Sequence, residues 1–173
     1  MKYILTSAEA SKLLKKMIDD KEVRRANEEQ SYIFCAALGE DVESVRPDYD
    51  YEKTSKYIDL CNEKIRIIKH AINCFNTKQI VGDTGMTIDQ VLVYMPQLVE
   101  KKNRLYDMQM KLPKQRTSLS GFGNNAVIDY CYTNYDLERV KKDYELVSEK
   151  IRKLQIQLDV VNTTITMEIE LPD

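Results

Sequence analysis

The chain has 173 residues, with 26 Lys or Arg against 28 Asp or Glu and a formal net charge of −2. Opposite charges are interspersed, whereas a non-specific nucleic-acid binder usually carries a basic excess or stripe, so no DNA partner is expected. No run approaches the roughly eighteen consecutive apolar residues of a transmembrane helix, and the start of the chain lacks the apolar core of a secretory signal. We therefore expect a cytoplasmic protein without a membrane partner.

This length suits a single domain, predicted over residues 1–173, with a core large enough to fold without disulfides. Its cysteines, Cys35, Cys61, Cys74 and Cys131, are scattered along the chain without a CxxC pair. Because cytoplasmic thiols stay reduced, we interpret all four as small core residues.

The first predicted helix opens at Thr6, where Glu9 completes a capping box in which side chains and backbone bond reciprocally. Gly39 suits a left-handed exit, so the helix is expected to run to that glycine. Residues 19–30 in its middle are almost all polar. That part is therefore predicted to be solvated on most of its faces.

The second predicted helix begins near Asp50 or Thr54, and the fourth covers residues 137–165 with Asp136 as its cap. In both, apolar side chains recur in steps of three and four, which is typical of an amphipathic helix. The second helix carries Ile58, Cys61, Ile65, Ile68, Ile72 and Phe75 in this pattern, and the fourth carries Leu137, Val140, Tyr144, Val147, Ile151, Leu154, Leu158, Val161 and Ile165.

The third predicted helix begins at Thr87, with Gln90 completing a second capping box, and its apolar pattern extends to Leu112. Pro96 lies inside this helix. Proline has no N–H to bond the carbonyl of Leu92, but the apolar spacing resumes beyond it. Pro96 is therefore predicted to kink the helix rather than to end it.

Together the four segments predict a mainly α fold of long antiparallel helices, arranged as a four-helix bundle or as coiled-coil-like hairpins, with a small β element. The apolar stripe of the second helix is wider than a two-stranded seam requires. Such surplus apolar faces make a homo-oligomer the expected state.

Alternating apolar residues predict strands over 126–133 and 163–171, with shorter candidates at 2–5 and 78–81. If the helices run alternately up and down, residues 2–5, 78–82 and 163–171 lie at the same end of the molecule. We therefore predict that these three segments form one small sheet.

The same topology collects six of the 11 tyrosines at the opposite end. Tyrosine combines a large apolar face with a polar tip and is enriched at interfaces. These rings either cover the open end of a bundle or form a partner or self-association site. The candidate interaction surface consists of Tyr49, Tyr51, Tyr57, Tyr130, Tyr132 and Tyr135.

Candidate chemical motifs are incomplete throughout the sequence. His70 is the only histidine, and its spacing to Cys74 would supply two ligands, whereas a closed zinc site needs four. The glycine-containing segments 81–85 and 121–125 lack the GK[ST] ending of a phosphate loop, so we interpret them as turns. We predict no catalytic residue, no cofactor and no metal site, and hence that the protein is not an enzyme.

One series of turn and cap residues is shared with a known family. In chain order it comprises Ile72, Asn73, Asn76, Gly85, Thr87, Val91, Leu92, Asn162, Thr163 and Thr164. With these residues the chain resembles the septicolysin-like family of small bacterial helical proteins, most of them uncharacterised, over most of its length. It departs at Met95 and Pro96, near which the family often has an Arg-Asp pair. The resemblance implies a helical fold, and the family label implies a cytolysin.

The leading functional hypothesis is a structural or protein-interaction protein that acts through coiled-coil-like helical surfaces without catalysis. One alternative is a nucleic-acid-associated helical arm, and another is a membrane-active, cytolysin-like protein. The chain has no Trp, an interfacial anchor that membrane proteins often use, which disfavours the last of these.

Overall fold

The computed structural model describes residues 1–117 and 129–173. Its helices are α1 (Ser7–Ser31), α2 (Tyr51–Lys78), α3 (Ile88–Gln109) and α4 (Leu137–Thr164), and its strands are β1 (Lys2–Thr6), β2 (Lys114–Thr117), β3 (Asp129–Tyr132) and β4 (Thr166–Glu170). The prediction of a mainly α protein with a small β element is confirmed.

The helix starts lie where the sequence places its caps. Thr6 Oγ1 accepts a hydrogen bond from the Glu9 N–H at 3.3 Å, and the Glu9 carboxylate accepts one from the Thr6 N–H at 2.9 Å. Thr87 and Gln90 repeat this capping box at α3, with corresponding distances of 3.3 and 2.9 Å. Each box satisfies backbone N–H groups that have no partner within the helix.

The end predicted for α1 is wrong. The helix ends at Ser31, and residues 32–50 are irregular apart from one short 3-10 turn, Val42–Ser44. Beyond Ser31 the sequence is apolar on every side, so continuing the helix would bury no single face. Gly39 does adopt a left-handed φ of 89°, but within this loop. α3 likewise ends before Leu112, whose side chain is 61% exposed.

As predicted, α3 does not end at Pro96. The helix continues from Ile88 to Gln109 with the proline in its interior. Its ring lies on the exposed side of the helix, while Leu98 two residues later is buried. The buried side chains beyond the proline therefore hold the helix together in spite of the missing hydrogen bond.

The chain divides into two compact units. Unit 1 comprises Met1–Gln79 with Val160–Asp173, and unit 2 comprises Ile80–Asp159, so the boundary near the C-terminus falls inside α4. The expectation of one domain over residues 1–173 stays a prediction.

In unit 1, α1 and α2 form an antiparallel hairpin. Arg24 Nη2 in α1 donates to Thr54 Oγ1 at 3.0 Å, and Ala10 shares a buried cluster with Ile68. Ile169 and Leu171, at the end of the chain, complete that cluster. The hairpin core and the β1–β4 sheet thus share one set of buried side chains.

The sheet of unit 1 pairs β1 with β4 antiparallel, from Lys2 opposite Glu170 to Thr6 opposite Thr166. The predicted third segment, residues 78–82, is not part of it. α2 extends through Lys78, and Ile80 forms only an isolated bridge with Thr87. Gly82, with a left-handed φ of 52°, turns the chain back before a longer strand can form.

In unit 2, α3 and α4 form a second antiparallel hairpin. Lys150 Nζ lies 2.8 Å from the Tyr94 hydroxyl, and the Tyr135 hydroxyl donates to the Met108 carbonyl at 2.7 Å. The buried cluster between the helices consists of Leu98, Leu105, Val140, Val147 and Leu154. The seam predicted for the fourth helix therefore supplies three of these five residues.

β2 and β3 pair antiparallel. β3 covers Asp129–Tyr132 of the strand predicted over 126–133, and residues 126–128 lie outside the described residues, as does the 121–125 segment. β2 was not predicted, because the sequence KQRT has no alternation of apolar and polar residues.

The cysteines do not all lie in the core, as the sequence had suggested. Cys61 is buried and Cys74 is half-buried, whereas Cys35 and Cys131 are exposed. Cys35 lies in the irregular segment after α1, and Cys131 lies on a two-stranded ribbon, so neither position belongs to a helix seam.

Candidate interaction surfaces

The six tyrosines of the candidate interaction surface lie in both units. Tyr49, Tyr51 and Tyr57 belong to unit 1, whereas Tyr130, Tyr132 and Tyr135 belong to unit 2. That all six form one surface stays a prediction, and each group is described by itself below.

Tyr49 connects the start of α2 to α1. Its hydroxyl donates to Glu28 Oε1 at 2.7 Å. This hydrogen bond, together with desolvation and the charge of Glu28, raises the pKa of Tyr49 to about 12. Tyr49 therefore stays protonated at neutral pH and has a structural partner, whereas Tyr51 is 67% exposed and has no such bond.

Tyr57 lies beside Arg24, whose guanidinium carbon is 5.9 Å from the ring centroid. The same guanidinium bonds Thr54, which is buried, so Arg24 links both helices of the hairpin. Next to them is a groove of about 570 Å³ that is lined by Asp20, Val23, Arg24, Asn27, Lys53 and Tyr57. Cations and a carboxylate both line this groove, so its charge selects no ligand class.

Of the three candidate tyrosines in unit 2, the most enclosed has a structural role. Tyr135 is half-buried and bonds the Met108 carbonyl, which holds the start of α4 against the end of α3. Tyr130 and Tyr132 are 48% and 65% exposed. Lys114 Nζ lies 4.1 Å from the Tyr130 ring centroid and 5.5 Å from that of Tyr132.

The β2–β3 ribbon presents a basic and aromatic face. Lys114 is paired with Tyr132 and Arg116 with Tyr130. Opposed residues of an antiparallel pair project to the same side, and so do residues two apart on one strand. All four side chains therefore share one face of the ribbon, and all four residues are exposed.

A second exposed surface, on α3, was missed in the sequence. Leu92, Val99 and Tyr106 are 49%, 42% and 47% exposed, and they recur at seven-residue spacing. We call these three residues the α3 stripe. It runs beside the buried row Val91, Leu98 and Leu105. A seven-residue apolar repeat in the sequence indicates it, but the apolar positions predicted for the third helix, from Ile88 to Leu112, do not include these three residues.

The segment after α1 is also apolar and exposed. Tyr32, Ile33 and Leu38 are 54%, 70% and 108% exposed. Phe34 is half-buried beneath Arg46, whose guanidinium carbon is 5.3 Å from the ring centroid. Within residues 32–38, Phe34 is thus the only aromatic side chain that is partly enclosed by the fold.

Residues suited to chemistry are dispersed. Nε2 of His70 lies 3.5 Å from Cys74 Sγ, and residues 1–117 and 129–173 hold no group of three His, Cys, Asp or Glu that could bind a metal ion. A groove of about 460 Å³ along α4 is lined by Asp83, Thr84, Met86, Leu146, Glu149, Lys150, Lys153, Leu154 and Gln157. Its main polar contact joins Gln157 Nε2 to Asp83 at 2.9 Å, which lowers the pKa of Asp83.

No protein-family model matches the chain, and no curated protein matches it. A solved structure of similar fold belongs to a functionally unknown conserved protein from Corynebacterium diphtheriae. The match has a TM-score of 0.60 at 14% sequence identity and covers 95% of this chain and 99% of that chain. At this identity the similarity shows the fold alone, and the resemblance to the septicolysin-like family stays a prediction. Among the described helices, none combines the length and hydropathy needed to cross a membrane.

Proposed function

We propose that this chain is a non-catalytic structural or interaction protein of the cytoplasm that self-associates through a coiled-coil-like helical surface. The α3 stripe is the observation that carries the proposal. In a coiled coil, apolar side chains at two positions of each seven-residue repeat insert between the side chains of a partner helix, and the stripe supplies one of these positions in successive repeats. The neighbouring row of Val91, Leu98 and Leu105 is already buried, so the exposed part of the stripe is left for a second helix. The ring of Tyr106 also contacts that of Tyr144 in α4, with 6.1 Å between the ring centroids.

The partner that fits the stripe is a second copy of the same helix. In an antiparallel pair of α3 helices related by a two-fold axis at Val99, Leu92 of one copy lies opposite Tyr106 of the other. The arrangement is self-complementary, as a two-fold interface requires. Val99 would lie at its centre, and Tyr106, a residue type enriched among energetically dominant interface residues, would pack against Leu92 at each end.

The proposal is tested by the solution mass of the protein over a dilution series, measured by light scattering. The variant Leu92→Asp with Val99→Asp puts two charges into the stripe, and its solution mass is expected to fall below that of the natural chain at concentrations where the natural chain is associated. The control is Val93→Asp with Gln97→Asp, which adds the same two charges to exposed positions of the same helix that lie away from the stripe. A monomeric natural chain, or equal effects of the two variants, would contradict the proposal.

A second candidate function, binding of single-stranded RNA, is favoured by the β2–β3 face. Exposed aromatic rings can stack on bases while Lys and Arg contact phosphates. The test is fluorescence anisotropy of a labelled single-stranded RNA at low and high salt. If the face binds RNA, affinity falls with salt and with Tyr130→Ala plus Tyr132→Ala, but not with Tyr51→Ala. No binding at low salt removes this candidate.

A further inference from the structure

The sheet of unit 1 has an unpaired edge along β1. Met1 and Leu171 exchange two backbone hydrogen bonds, at 2.7 and 2.9 Å. Such pairs alternate with non-bonded pairs in an antiparallel ladder, so Tyr3 is bonded to β4 while Lys2 and Ile4 are not. The N–H and C=O groups of Lys2 and Ile4 therefore point away from β4. Across residues 1–117 and 129–173, no hydrogen bond to these outward groups is found.

An apolar side chain of this edge is also exposed to solvent. Ile4 is 65% exposed, although Tyr3 and Leu5 on either side of it pack partly against the buried cluster of unit 1. An open strand edge with an exposed apolar residue is a template for another strand, and monomeric proteins usually protect such edges with charges, bulges or covering elements.

We propose that β1 pairs antiparallel with β1 of a second copy, around a two-fold axis at Ile4. Each Ile4 then lies opposite the partner's Ile4, and their outward N–H and C=O groups exchange two hydrogen bonds. Lys2 lies opposite the partner's Thr6, and Tyr3 lies opposite the partner's Leu5. The result is a four-stranded sheet in the order β4, β1, β1, β4, with a continuous apolar inner face.

The hydrogen bonds of Thr6 limit the ladder to one bond in each Lys2–Thr6 pair. Its N–H already donates to the Glu9 carboxylate at 2.9 Å, so only its carbonyl remains for the partner strand. A carbonyl oxygen has two lone pairs, and the Thr6 oxygen can accept the Lys2 N–H of the second copy besides its own helix bond. The ladder then contains four intermolecular hydrogen bonds: two between the Ile4 residues of the two copies, and one from each Lys2 N–H to the opposite Thr6 carbonyl.

Charge distinguishes the β1 edge from the β4 edge. The corresponding outward positions of β4 include Glu168 and Glu170. A two-fold pairing of β4 centred on Glu168 would place two carboxylates directly opposite each other, which is destabilising. β1 carries one charge, that of Lys2, and the proposed register keeps the two lysines apart.

This contact rests on the proposed role as a self-associating protein, but it is separate from the α3 stripe. It is therefore tested in the Leu92→Asp and Val99→Asp background, where the helical contact is removed. Amide hydrogen exchange is measured by NMR at low and high protein concentration. We expect protection of the Ile4 amide to rise at least tenfold with concentration, while the Tyr3 amide, which is bonded within the chain, stays protected throughout.

A second comparison uses two isoleucines of similar exposure. Ile4→Lys places two lysines opposite each other and is expected to weaken dimerisation at least tenfold, whereas Ile33→Lys, at a residue that is 70% exposed, leaves it unchanged. In the background that lacks the α3 contact, an Ile4 amide that stays unprotected, equal effects of the two variants, or growth into open-ended assemblies overturns the β1 pairing. If the natural chain nevertheless associates through α3, the proposed function stands; a natural chain that is monomeric at every concentration overturns both.

Discussion

Two leucines of α4 show how strongly residue position matters on one helix. Leu154 is 3% exposed and belongs to the buried cluster of unit 2, whereas Leu146 is 68% exposed. Leu154→Ala leaves a cavity and is expected to lower the free energy of unfolding by about 2–5 kcal/mol. Leu146→Ala is expected to change it by no more than about 0.5 kcal/mol. Chemical denaturation of both variants measures these changes. Equal losses of unfolding free energy would contradict the placement of Leu154 in the buried cluster and of Leu146 outside it.

The tyrosines show at the same scale what a sequence does not reveal. All six candidates have the same chemistry, yet Tyr49 and Tyr135 are tied to Glu28 and Met108, while Tyr132 remains exposed. Residue type indicates that tyrosine is common at interfaces, but the hydrogen-bond partner of each hydroxyl depends on which helices pack together. That information is absent from the local sequence.

At the scale of elements, the two capping boxes differ in one titratable group. Glu9 completes the box of α1, and its hydrogen bonds from Thr6 lower its pKa. Gln90 completes the box of α3 with an amide, which does not titrate. A lowered folded-state pKa means that the stabilisation is present above the unfolded pKa of Glu9 and is lost as pH falls through the folded one.

NMR titration of backbone amides therefore distinguishes the two helix starts. Between neutral pH and about pH 2, the Thr6 amide resonance is expected to shift with the protonation of Glu9, at a midpoint below the usual range for glutamate. The Thr87 amide should show no such step. Glu9→Gln is the matched change, because it should make α1 behave like α3. A step at Thr87, or a persistent step in the variant, would argue against this account.

Helix starts and seams could be predicted because they depend on neighbouring residues. Thr6 and Thr87 identify their helices through bonds to residues three positions later, and periodicity identified the buried row of α3. The β2 strand depends instead on its pairing with β3. The end of α1 was misplaced because Gly39 is a common exit residue, although the one-sided helical pattern already stops at Ser31. The strand expected at 78–82 failed for a local reason, because α2 extends through Lys78 and the chain turns at Gly82.

At the scale of the whole molecule, α4 belongs to both units. Val147 and Leu154 lie in the buried cluster of unit 2, and beyond the boundary Val161 is 6% exposed in unit 1. One continuous helix joins these positions. Because helix formation is cooperative, loss of the unit 2 core is expected to destabilise the last turns of α4 as well. The expectation of a single domain over residues 1–173 depends on that coupling.

Thiol labelling of Cys61 measures the coupling. Cys61 is 5% exposed in unit 1, and Leu105 is 5% exposed in the core of unit 2. If both units open together, Leu105→Ala should cost about 2–5 kcal/mol and accelerate the labelling of Cys61 by at least about thirtyfold, as followed by mass spectrometry of its peptide. Leu112→Ala, at an exposed leucine, serves as the control. Unchanged labelling in the Leu105 variant would mean that unit 1 opens on its own, because Cys61 would then be protected by a core that does not depend on α3.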